Sequence, residues 1–105
     1  MIRIYGLRAC DTCRKALKAL EGAELIDIRD TPMAVDLRDA ALAQFGAALL
    51  NTRSTTWRGL SDVERARPPQ DLLAEHPALM KRPLIEADGT LHLGWTKDTQ
   101  SALGL

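Results

Sequence analysis

Residues 5–20 read YGLRACDTCRKALKAL, and the rest of the chain is arranged around them. Just ahead, Ile2 and Ile4 fall on one side of an alternating segment and Arg3 and Tyr5 on the other, the pattern of a strand. Gly6 ends that segment, a short loop follows, and then comes Cys10-Asp11-Thr12-Cys13. Behind it Cys13, Ala16, Leu17 and Leu20 recur at the spacing of one helix face. Strand, loop, cysteine and helix in that order put Cys10 at or just before the first helical turn. The first backbone N–H groups of a helix lack internal partners and carry roughly half a positive charge. A thiolate placed there is stabilised, so its pKa falls below the free value of about 8.5. Arg8 and Arg14 flank the position and Lys15 is close, which predicts a cationic surround. Asp11 suits a helix start but opposes ionisation of its neighbour. Cys10 is therefore a candidate reactive cysteine. Thr12, inside the pair, is a candidate either to stabilise the thiolate or to cap the helix.

A CxxC pair opening a helix after a strand is a redox signature, and it has two competitors. Zinc needs four ligands, and the only further donors of the usual kind are His76 and His92. These lie 16 residues apart, not at the close spacing that zinc sites use, so no metal is expected. The second competitor is ordinary burial, since free cysteine packs as a small hydrophobe. Cys13, on the apolar face, fits that description; Cys10, among charged residues, does not. Whether Cys13 reacts or only packs stays open at this level.

Outward from the motif, helix one runs over residues 11–20 and Gly22 is a reasonable stop. Residues 25–28, Leu-Ile-Asp-Ile, form a second strand. Strand, helix and strand in so short a span predict a parallel pair with a right-handed crossover. Asp36 is a fair N-cap for a helix whose stripe is Leu37, Ala41, Phe45 and Leu49, with Gly46 able to interrupt it. Residues 51–58, NTRSTTWR, show neither period and read as a loop. Ser61 can cap a short helix, and Leu72, Leu73 and His76 belong to another that yields to Pro77. Residues 84–87 and 91–93 around Asp88-Gly89 make a hairpin, and a last helix spans residues 97–103. The expected class is α/β: a mixed sheet covered by helices, with a helical insertion between the βαβ half and the hairpin-helix end.

The chain's 105 residues predict one domain with a core of its own. Fourteen basic residues balance fourteen acidic ones, so no global field recruits nucleic acid or an anionic membrane. No apolar run approaches the length of a transmembrane helix, and the N-terminus lacks the apolar core of an export signal. Two cysteines without a disulfide framework suit a cytoplasmic setting.

Four segments carry a likeness to a known family: YGLRACDTCRKA at 5–16, LLNTRSTTWR at 49–58, HPALMKRP at 76–83 and DGTLHLGW at 88–95. Together they resemble the ArsC/Spx-type branch of the thioredoxin fold, above all its YffB-like subgroup of arsenate-reductase-like proteins. That resemblance implies a glutathione-dependent thiol oxidoreductase, acting on a small thiol, disulfide or oxyanion without a bound cofactor; a monomer is the expectation, although oligomeric state is not written in the sequence. It places the reactive cysteine at Cys10, an anion-holding arginine facing it at Arg82, and the fold's cis-proline at Pro83. In the dithiol version Cys13 resolves the mixed disulfide; in the monothiol version glutathione does. Asn51, Thr52, Arg53 and Arg58 fall in the loop the family folds beside its site, with Asn51 and Arg53 as candidate glutathione or substrate contacts and Arg8 as a further one. True arsenate reductases carry an arginine where this chain has Asn51 and another where it has Gly94. Losing two guanidinium forks removes the strongest charge-assisted bonds to an oxyanion, although Arg53 can replace one of them. Arsenate reduction is therefore the weaker expectation. Spx-type members pose a different alternative, a regulator that binds RNA polymerase and uses CxxC as a redox switch. His76, His92, Trp57 and Trp95 read as structural residues.

Overall fold

Strand β1 (Ile2–Gly6) is an inner strand of a four-stranded sheet ordered β2-β1-β3-β4 in the computed structural model, which describes residues 1–105. On one side it pairs in parallel with β2 (Glu24–Asp27), Ile4 lying opposite Leu25 and Tyr5 opposite Ile26. On the other it runs antiparallel to β3 (Leu84–Ala87), with Ile4 opposite Ile85 and Tyr5 opposite Leu84. β3 folds back on β4 (Thr90–Leu93) through Asp88-Gly89, both at positive φ, 50° and 83°. Two consecutive left-handed residues are the geometry that Asp-Gly supplies to a tight hairpin.

Helix α1 (Asp11–Ala19) is the crossover between β1 and β2, as the periodicity requires. It sets Ala16 and the following Leu20 against Ile4 and Ile85, all buried, with Leu17, Leu25, Trp95 and Leu103 packed around them. Burying an aliphatic side chain of this size stabilises by roughly 1.5–3 kcal/mol. This core, with α6 (Lys97–Ala102) capped by Thr96, completes a unit of residues 1–31 and 82–105. β2 begins one residue earlier than its apolar run suggests: Ile28 lies just past it, buried, its N–H donating to the Gly6 carbonyl at 2.9 Å.

Residues 32–81, inserted between β2 and β3, form a second unit of short helical pieces. α2 (Val35–Phe45) starts two residues earlier than expected, with Ala34 in place of Asp36 at its N-cap and Asp36 in its first turn, where a carboxylate favours the helix dipole. Gly46 does end it, and a 3-10 turn carries Leu49 into the interior. The expected loop at 51–58 needs correction. Thr55–Arg58 is a single helical turn, α3, whose N-cap Ser54 accepts from the Trp57 amide at 3.1 Å. Four residues are too few to show a helical period, but the hydroxyl cap was there in the sequence. α4 (Asp62–Arg65) carries a complete capping box between Ser61 and Glu64, and α5 (Pro69–Glu75) ends at His76. Leu72, Leu73, Leu79 and Met80 are buried in this unit. No helix of the protein is long and apolar enough to cross a membrane.

Candidate active site

Cys10 occupies the N-cap of α1 with extended backbone angles, and its carbonyl accepts the first helical bond from Arg14 at 3.1 Å. The loop before it is tied down at several points. Cys10 N–H donates to Leu7 O at 3.0 Å, and Arg8 N–H donates to the Asp27 carboxylate at 3.0 Å. That carboxylate also accepts from Arg29 N–H at 2.9 Å, and these two amides hold its pKa low. A side chain at the end of β2 thus fixes the loop from which the sulfur hangs.

The two cysteines meet opposite fates. Cys10 is half-buried, and burial by itself would push its thiol up. The Cys13 amide, the Cys13 thiol and the Arg82 guanidinium, all facing its sulfur, outweigh that penalty and leave the pKa below the ordinary thiol value. Cys10 makes no ordinary oxygen-type cap, so the helix-start amide is left to serve the sulfur. Cys13 is completely buried, and that burial, opposed by the Leu7 amide and reinforced by the charge on Cys10, pushes its thiol up to about 11. Of the two thiols Cys10 is therefore the one that ionises more readily, with Cys13 as the donor facing its sulfur.

The cation at the sulfur is not one of those expected from adjacency. Arg8 reaches Asp30 at 2.5 Å and Arg14 pairs with Asp11, so local carboxylates take both guanidinium groups. The same pairing neutralises Asp11, which was expected to oppose ionisation. Arg82 supplies the charge instead, carried to the site because β3 runs antiparallel beside β1. The Arg82–Pro83 bond is cis, and Pro83 is fully buried.

Of the predicted site residues, Cys10, Cys13 and Arg82 come together, with Pro83 directly following Arg82 and Thr12 half-buried between the cysteines. Arg8 lies in the same unit but is spent on Asp30. Asn51 and Arg53 belong to the second unit, where the Asn51 side chain accepts from the Arg53 amide at 3.1 Å, and Arg53 is exposed. No group of three or more His, Cys, Asp or Glu side chains is disposed to hold a metal ion. Sequence reasoning missed Asp27, Leu7 and Gly6. Gly6 reads as a strand end, yet a β-carbon built there would overlap the Cys13 sulfur.

Comparison with known proteins bears on this geometry. The model of the ArsC family matches residues 5–103. An uncharacterised protein of Haemophilus influenzae is 40% identical over 112 residues, spanning 97% of this chain and 98% of that one. The global transcriptional regulator Spx of Bacillus subtilis is 30% identical over 108 residues, spanning 93% of this chain and 82% of the regulator. Among solved structures, the YffB (PA3664) protein superposes with a TM-score of 0.86 at 26% identity, covering 97% of each chain. The architecture these matches share is thioredoxin-like, as the order and pairing of the strands are here.

Proposed function

The chain belongs to the ArsC family, and we propose that it is a glutathione-dependent thiol oxidoreductase with Cys10 as its nucleophile. The observation that carries this reading is the asymmetry of the pair: one thiol half-exposed with its pKa lowered, the other completely buried with its pKa raised.

The thiolate of Cys10 attacks one sulfur of a substrate disulfide, the S–S electron pair leaves on the other sulfur, and solvent protonates it. A mixed disulfide on Cys10 results, and the negative charge that helped to keep the proton on Cys13 is gone. Arg82 still acts on Cys13 and favours its ionisation. Cys13 passes its proton to the departing thiol and attacks the Cys10 sulfur, closing a Cys10–Cys13 disulfide. Two glutathione thiols then reduce that bond in successive exchanges and leave as glutathione disulfide, so electrons balance. Arg82 in this scheme orients an anionic group of the incoming thiol or disulfide, a task suited to a planar fork.

Mass spectrometry after treatment with glutathione disulfide tests the scheme, comparing the protein with Cys13→Ser. An adduct on Cys10 that persists only in the variant supports the resolving role of Cys13. Persistence in both assigns resolution to glutathione. No adduct in either, with Cys10 titrating as an ordinary thiol, overturns the reading.

The likeness to the Bacillus regulator favours a second reading, in which the same pair is an oxidation switch on a protein that binds RNA polymerase. Capture of polymerase subunits with and without oxidant separates it from the first. Arsenate reduction is less favoured. Gly94, where that activity would call for an arginine, sits at φ 81° with its N–H on the Pro83 carbonyl at 2.8 Å. Only glycine adopts that backbone freely.

A further inference from the structure

We propose that Gly6 is a positioning residue for the cysteine pair: its missing side chain leaves the space in which the Cys13 sulfur stands behind Cys10, so that the two can close into a disulfide. The inference rests on the reading of Cys13 as the resolving thiol and names what puts it there.

Glycine is an unfavourable choice in a strand, because it loses the most backbone freedom and offers nothing to pack. It is usually explained by a positive φ, but Gly6 is not among the left-handed glycines of this chain. Its backbone is ordinary strand, paired with Asp27 and accepting from Ile28 N–H at 2.9 Å. What distinguishes the position is space. A β-carbon at residue 6 would overlap the Cys13 Sγ and come within 3.3 Å of the Cys13 Cβ.

The sulfur has little freedom to move aside. Side chains in a helix are confined to a few rotamers, and Cys13 is completely buried. In its present position the sulfur interacts with both the Leu7 amide and the Cys10 sulfur. Turning away from a side chain at residue 6 forfeits both. Cys10 would lose the thiol donor that helps to hold its charge, and the attacking sulfur of the second exchange would be out of line. In that exchange Cys13 breaks the Cys10–glutathione bond, forms the Cys10–Cys13 bond, and glutathione leaves with the proton Cys13 gave up. With the sulfur displaced, the reaction stops at the adduct.

The test is a double-mutant cycle of Gly6→Ala, Cys13→Ala and both together. After treatment with glutathione disulfide, the unmodified sequence should recover a free glutathione and an internal disulfide, while Gly6→Ala should retain the adduct on Cys10. Thiolate absorbance should show Cys10 of Gly6→Ala ionising at higher pH. In the Cys13→Ala background, where no sulfur occupies the space, adding Gly6→Ala should leave the Cys10 titration unmoved and lower Tm much less. If Gly6→Ala fails to fold, Cys13→Ala should rescue it. Disulfide closure at the original rate in Gly6→Ala, or effects of equal size in both backgrounds, overturns the proposal. Should the unmodified protein take up no glutathione, the oxidoreductase reading falls alone, and the Tm and titration cycles still decide the role of Gly6.

Discussion

Residues 32–81 and the sheet-bearing unit use polar side chains to opposite ends. In the former they close short helical pieces. Ser54 caps α3, Ser61 and Glu64 box the start of α4, and Arg65 donates to the Trp57 carbonyl from a guanidinium 5.4 Å above its ring. Arg67 grips Glu75 through two bonds of 2.6 and 2.9 Å. In the sheet-bearing unit, strand pairing between distant residues sets the frame, and the consequential polar contacts converge on one sulfur. Local closures are replaceable one at a time, since each satisfies a single helix end. Contacts around a charge are not, because removing one changes what the charge can do.

That contrast is sharpest at Cys10. Cys10→Ser should abolish glutathione adduct formation altogether while leaving the thermal transition close to its original place, as mass spectrometry and calorimetry would show. Ile85→Ala probes the frame instead of the chemistry; a fully buried aliphatic truncated to alanine should cost about 2–5 kcal/mol in denaturant unfolding. Arg82→Lys keeps a positive charge but loses the planar fork, so Cys10 should ionise at higher pH and adduct formation at neutral pH should slow. A titration indistinguishable from the original would mean that the guanidinium is a bystander.

The buried thiol predicts a pH effect of definite sign. Folding holds Cys13 protonated up to about 11, above its unfolded value, so its contribution to stability is full below the ordinary thiol range. It is lost as pH rises through about 11, because there the unfolded chain binds fewer protons than the native one. Cys13→Ala should flatten that alkaline decline in Tm. Cys10 has the opposite sign: its lowered pKa adds stability as pH climbs toward the ordinary thiol value. Smallest of all, Ser61→Ala removes a cap in the helical unit and should cost about 1 kcal/mol. A shift in the Cys10 titration on making it would mean that the two units do not use their polar side chains independently.

Legibility in the sequence followed the same division. The strand, the cysteine at the helix start, the parallel crossover and the Asp-Gly hairpin were all readable, because each is written in a local period or a turn pair. α3 was not, because four residues carry no period and only the Ser54 cap marked it. The electrostatics of Cys10 were readable in direction but not in source. Arg8 and Arg14 are near in sequence and pair with their own carboxylates, whereas Arg82 is brought by antiparallel pairing that spacing alone cannot reveal. Arg82 was reached through the family likeness. Gly6 was rightly read as the end of the strand, but its closeness to the Cys13 sulfur lies across space and leaves no mark in the local pattern.

The Asp27 clasp has a practical corollary. Its carboxylate grips the amides of Arg8 and Arg29 most strongly while ionised, and that grip weakens as solution pH falls through its lowered pKa. Acid also protonates thiolates, the form in which sulfur exchanges. For this molecule acid would at once protonate the Cys10 sulfur and loosen the loop that carries it, so an adduct formed there has two reasons to stay where it was caught.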